Sequence, residues 1–112
     1  MADQQSWDVA YYETASGRSP VVEEINALPV RDQAKVYALI GELPSRGLAL
    51  GKPVHNRVWE LKPVPYRVLY FSFTGRRFVL LRCFRKKTPR TPQAEIALAE
   101  QWMSDYIARH GG

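Results

Sequence analysis

Apolar and polar positions alternate at the start of the chain. Trp7, Val9 and Tyr11 fall on one side and Asp8 and Ala10 on the other, and this period of two predicts a strand over Trp7 to Tyr12. The next segment, Glu13 to Arg18, reads ETASGR and predicts a loop. Ser19-Pro20 then announces a helix. Serine is a favoured N-cap, proline fits the first helical position, and Glu23 and Glu24 fall where carboxylates suit the helix dipole. Val21, Ile25 and Leu28 form its apolar stripe, and Pro29 ends it. A second helix is predicted from about Arg31 to Leu43, because Val36, Leu39, Ile40 and Leu43 keep the helical spacing. Pro44 and Gly47 are expected to stop it.

Beyond them, Gly51 to Arg57 predicts a loop and Val58 to Lys62 a short strand. Tyr66 to Phe73 reads YRVLYFSF and is apolar on both faces, as a central strand is. Thr74-Gly75-Arg76 is the expected hairpin turn and Arg77 to Arg85 the returning strand. Thr91-Pro92 repeats the pattern of Ser19-Pro20 and starts a last helix reaching about Arg109. Its apolar side is Ile96, Ala99, Trp102, Met103 and Tyr106, and Gly111 and Gly112 are expected to fray. The whole predicts one α+β domain over residues 1–112. It has a small, mainly antiparallel sheet in the order β-α-α-β-β-β-α, two N-terminal helices on one face and a C-terminal helix.

Composition narrows the setting. The single Cys83 excludes an internal disulfide and fits a reducing compartment. Met1 to Trp7 has no signal-peptide pattern, and no apolar run approaches the roughly 20 residues of a membrane span, so a cytoplasmic protein without membrane association is expected. Charge changes the picture more. Residues 57–90 carry ten basic residues against one acid, Glu60, for a net of +9; the two flanking segments are each −2, and the chain is +5. A one-signed block inside a folded region is the footprint of a polyanion, and nucleic acid is the expected partner.

Candidate chemistry lies within that block. With two distant histidines and one cysteine no metal site is expected, and neither a phosphate loop nor a serine-nucleophile elbow is present. Arg67 interrupts an apolar strand on the face of Leu69, Phe71 and Phe73, where an unpaired guanidinium is costly. Its partner is either Glu60 or a phosphate. Arg82 poses the same question beside Phe78, Leu80 and Phe84. Arg85, Lys86, Lys87, Arg90 and Lys62 are candidate phosphate contacts, and Tyr66, Tyr70 and Phe84 candidate rings for base stacking. Glu60 either neutralises Arg67 or serves as a general base. His55 is expected in an exposed loop and Cys83 in the core.

Several segments, in order, resemble HigB-like toxins of the RelE/ParE superfamily. They are Val58-Trp59-Glu60-Leu61-Lys62, Tyr66-Arg67-Val68-Leu69-Tyr70 and Phe84-Arg85-Lys86-Lys87-Thr88-Pro89. The opening Tyr11-Tyr12-Glu13-Thr14-Ala15-Ser16-Gly17 and Ser19-Pro20-Val21 are similar to the phage-derived branch. The resemblance implies a compact RelE-like sheet and a type II toxin that cleaves mRNA on the ribosome without a metal or cofactor. It implies a cognate antitoxin with a helix-turn-helix domain. By position it assigns Arg67 to the scissile phosphate and Lys86 and Lys87 to phosphate or ribosomal RNA, one of them assisting the leaving group. Glu60 stands where related chains carry a basic strand residue, and Arg82 where many carry a histidine. Two other readings stay open: a ParE-like inhibitor of DNA gyrase, and an inactive, prophage-derived binding protein.

Overall fold

The computed structural model describes residues 7–74 and 76–111. In chain order the elements are β1 (Asp8–Tyr11), α1 (Pro20–Asn26), α2 (Val30–Ile40), the single turn α3 (Leu43–Arg46) and a 3-10 turn over Gly47–Leu50. They are followed by β2 (Lys52–His55), β3 (Val58–Leu61), β4 (Tyr66–Phe73), β5 (Arg77–Arg85) and α4 (Gln93–His110). The five strands form one sheet in the order β1-β5-β4-β3-β2. β1 runs parallel to β5, and the other three pairings are antiparallel.

The pleat sorts the side chains into two cores. Leu61, Tyr66, Val68, Tyr70, Phe78 and Leu80 face one side, where Val21 and Ile25 of α1 and Val36 and Ile40 of α2 pack on them. Val58, Leu69, Phe71, Val79 and Leu81 face the other side, under Ala99, Met103 and Tyr106 of α4. β4 is buried on both faces, as its unbroken apolar run predicts. The expected α+β architecture is what the chain adopts, and α4 covers the face that α1 and α2 leave open.

Four local features depart from the sequence reading. Lys52–His55 is a strand rather than a loop, an edge strand with Pro53 in it. Proline is tolerated there because an edge residue needs no ladder donor on its outer side. Pro44 does not end a helix but sits in the first turn of α3, where its missing N–H costs nothing. Thr91 does not cap α4: Pro92 holds the N-cap position, and the Thr91 hydroxyl is used elsewhere. Gly111 does not fray, since its left-handed φ of 72° lets its N–H close the helix on the Ile107 carbonyl. Ser19 behaves as read, accepting from the Val22 N–H at 3.4 Å and donating to the Tyr12 carbonyl at 2.8 Å. Gly75 of the hairpin turn, Gly112 and the polar start Met1–Ser6 lie outside the described residues.

Candidate functional site

A β-bulge decides which basic side chains share a face. The register slips between Leu69 and Tyr70, pairing Leu69 with Arg82 and Tyr70 with Leu80, so Leu81 is the extra residue. Before the bulge Phe78 and Leu80 face α1 and α2; after it Arg82 and Phe84 face α4. Arg82 therefore does not share a side with Phe78 and Leu80, contrary to strict alternation. β1 ends opposite Leu80, which leaves the rest of β5 with an open edge. Glu24 of α1 fills that gap, accepting from the Cys83 N–H at 2.8 Å and pairing with Arg82. Glu95 of α4 takes the other side of the same guanidinium, which lies 5.7 Å from the centroid of Trp102. Burial pushes the Glu24 carboxyl above its ordinary value, against the opposing pull of the Cys83 N–H and Arg82. Arg82 thus joins three elements through two carboxylates.

On the α4 face a cleft of about 330 Å³ opens between the β2–β3 hairpin, the end of β5 and the segment leading into α4. Glu60 and Thr91 line it together with Lys62, Lys86 and Arg90, and Pro53, Val54, Pro89, Gln93 and Ile96 complete it. Glu60 is buried, and its Oε1 accepts from the Thr91 hydroxyl at 2.8 Å. Arg67 lies beside it with Nε 3.7 Å from the same oxygen and a side chain only 13% exposed. One arm of that guanidinium donates to the Tyr66 carbonyl at 3.0 Å, and Nε has no hydrogen-bond partner. Among the described residues, the Thr91 hydrogen bond and the Arg67 ion pair of the Glu60 carboxylate both fall on Oε1. Lys52, opposite Glu60 in the β2–β3 register, stands next to Lys62 and pushes its ammonium below the ordinary lysine value.

The cleft gathers Glu60, Lys62, Lys86 and Arg90 of the residues singled out by sequence. It does not gather the rest. Arg85 pairs with Tyr66 in the register and so points to the opposite face. Lys87 is exposed beyond the strand and does not line the cleft. Tyr66 and Tyr70 are buried, so neither ring is free to stack on a base. Tyr66 instead donates to Asp32 at 2.5 Å, and Tyr70 packs edge-on against Phe78. Phe84 packs against the α4-side core. Cys83 is buried as expected, with its thiol pushed up to about 12 by burial. His55 is half exposed at the end of β2, bonding Glu100 of α4 at 2.7 Å.

Sequence reasoning missed Lys52 and Thr91. Reading KPVH as a strand paired with β3 places Lys52 across from Glu60. Thr91 was hidden by its resemblance to an N-cap. Among the described residues no group of His, Cys, Asp and Glu is arranged to hold a metal ion, and no helix is long and apolar enough to cross a membrane.

A three-layer α+β domain with a basic cleft at one end of its sheet is a RelE-like fold. A chain of the toxin–antitoxin complex RelBE2 from Mycobacterium tuberculosis matches it with a TM-score of 0.59 and 23% identity, over 72% of this chain and 99% of that one. That likeness is one of fold. The chain belongs to the family described as phage derived protein Gp49-like (DUF891), whose pattern matches residues 23–104. No curated protein matches it.

Proposed function

We propose that this protein is the toxin of a toxin–antitoxin pair, and that it is a metal-independent endoribonuclease cutting mRNA on the ribosome. The observation that carries the reading is the cleft, where three cations, Lys62, Lys86 and Arg90, surround a buried carboxylate. The shared fold with a chain of a toxin–antitoxin complex favours the same setting, with a helix-turn-helix antitoxin as partner.

The chemistry needs no group beyond these side chains. Glu60 takes the proton of a ribose 2′-hydroxyl, and the 2′-oxygen attacks the adjacent phosphorus. The bond to the 5′-oxygen breaks, leaving a 2′,3′-cyclic phosphate and a 5′-hydroxyl. Lys86 and Arg90 stabilise the charge that develops on the phosphoryl oxygens. Lys62, whose ammonium is made a better acid by Lys52, protonates the departing 5′-oxygen. Arg67 is a positioning residue: its Nε, 3.7 Å from Glu60 Oε1, fixes where that carboxylate lies. Lys87 is an outer contact for flanking RNA, and Arg82 is architectural.

Primer extension on an mRNA in a purified bacterial translation system tests this. Wild type is expected to cut only when ribosomes are present. Glu60→Gln is expected to slow cutting by about 100-fold, the usual worth of a general base. Arg67→Ala is expected to slow it less, with Arg67→Lys restoring part of the rate. A folded wild type that leaves the message intact defeats the nuclease reading; inhibition of gyrase supercoiling by that same protein would then favour the ParE-like one.

A further inference from the structure

The carboxylate in the basic cleft is tied by one oxygen, and the group that ties it comes from outside the sheet. Glu60 sits on β3 and is only 7% exposed. Its Oε1 accepts from the Thr91 hydroxyl at 2.8 Å, with Arg67 Nε 3.7 Å from the same oxygen. Among the described residues no hydrogen bond falls on Oε2. The last torsion of a glutamate is broad and two-fold, so an untied carboxylate exchanges its two oxygens freely. One tied through Oε1 keeps Oε2 as the oxygen it offers.

Thr91 is itself hard to move. It precedes a proline, which confines its backbone to extended conformations, and its branched Cβ makes it stiff about χ1. Pro92 is the N-cap of α4, and its carbonyl accepts from the Glu95 and Ile96 N–H groups at 3.1 and 3.2 Å. Ile96 is buried, and Glu95 is paired with Arg82. On the other side the Thr88 hydroxyl closes on the Arg90 carbonyl at 2.7 Å. The hydroxyl that reaches Glu60 is thus anchored in the first turn of α4, 31 residues along the chain.

We propose that Thr91 is a positioning residue that locks Glu60 with Oε1 turned to the protein and Oε2 presented to the ribose 2′-hydroxyl. This rests on the nuclease reading of the cleft and adds two things to it: the oxygen that takes the proton, and the element that aims it, which is α4 rather than the strand carrying Glu60. Arg67 fixes where the carboxylate lies but not which oxygen faces outward. Its Nε has no hydrogen-bond partner, and at 3.7 Å a Coulomb attraction has little preference between two oxygens that share one charge.

Two variants test this. Thr91→Val keeps the shape and removes the hydroxyl, whereas Thr91→Ser keeps the hydroxyl. In ribosome-dependent primer extension Thr91→Val is expected to lower kcat by about tenfold with KM unchanged, because a misaimed base costs rate rather than binding. Thr91→Ser should recover most of that loss. With Glu60→Gln already present, Thr91→Val should slow cutting no further, since Thr91 acts through that carboxylate alone. Independently of cutting, nuclear magnetic resonance should find the Thr91 hydroxyl proton in slow exchange and coupled across its hydrogen bond to the Glu60 carboxyl carbon. Amides of β3 and β4 that stay in place in both variants show that the fold is kept. A Thr91→Val protein that cuts as fast as wild type overturns the proposal. So does an equal slowing with and without Glu60→Gln, or a hydroxyl proton with no coupling to Glu60. A wild type that leaves mRNA intact although that coupling is present defeats the nuclease reading, and the role of Oε2 as base falls with it.

Discussion

Tyr70 shows how much a single polar atom weighs in this core. Its ring is fully buried and its hydroxyl has no hydrogen-bond partner, so burial pushes its pKa up to about 12. The hydroxyl lies against Gly51, where an added Cβ would come within 2.0 Å of it and 2.8 Å of the Glu60 carbonyl. Glycine at 51 is thus required by close approach. Gly51→Ala is expected to destabilise the protein by about 2 kcal/mol, in the range of an overpacked interior. Tyr70→Phe removes a desolvated hydroxyl and is expected to be neutral or stabilising by up to about 1 kcal/mol. Urea denaturation of the two variants checks both signs, and a strongly destabilising Tyr70→Phe would mean the hydroxyl has a partner. Sequence could name Tyr70 as aromatic but not say which side of the fold it faced.

Among the elements, β5 and its continuation carry the basic run, and the pleat divides it. Lys86 turns into the cleft, Arg85 turns to the α1 and α2 face, and Lys87 stands outside. Neighbours in sequence therefore face different surroundings. In binding of a short single-stranded RNA, Lys86→Ala is expected to lower the slope of log affinity against log salt by about 0.7, one phosphate contact. Arg85→Ala is expected to leave the slope nearly unchanged. Fluorescence anisotropy across a salt series measures this, and equal slopes for the two variants would contradict the division by faces. The strands Tyr66–Phe73 and Arg77–Arg85 were legible to the residue, because their branched and aromatic runs end on turn residues. β2 was not legible: KPVH has no apolar run, and it becomes a strand only because β3 offers it a ladder.

Across the whole molecule, α1 and α4 are held by carboxylates that respond to acid in opposite senses. Asp105 links Tyr12 and Arg109, and these partners hold its pKa below the ordinary value, Arg109 most of all. Glu100 is held low chiefly by His55. Stability from such groups is present above the ordinary carboxylate pKa and is lost as pH falls through the lowered one. Glu24 has the reverse sign, being raised by burial: its contribution is present in acid and is lost as pH rises through its folded pKa. The melting temperature is expected to fall between about pH 5 and about pH 3, where ordinary carboxylates titrate. Asp105→Asn should flatten that fall and Glu24→Gln should steepen it, as scanning calorimetry at several pH values will show. A fall unchanged by both variants would place the acid sensitivity elsewhere.

The sequence by itself determined the elements with strong periodicity, the α+β class, the burial of Cys83 and the concentration of positive charge between residues 57 and 90. These are local properties, fixed by side-chain spacing and by composition. Only the tertiary structure decided which cations meet. The bulge at Leu81 turned Arg82 toward Glu24 and Glu95, the β2–β3 register set Lys52 across from Glu60, and α4 brought Thr91 onto that carboxylate. Each depends on contacts between segments distant in the chain, which spacing along one segment does not encode.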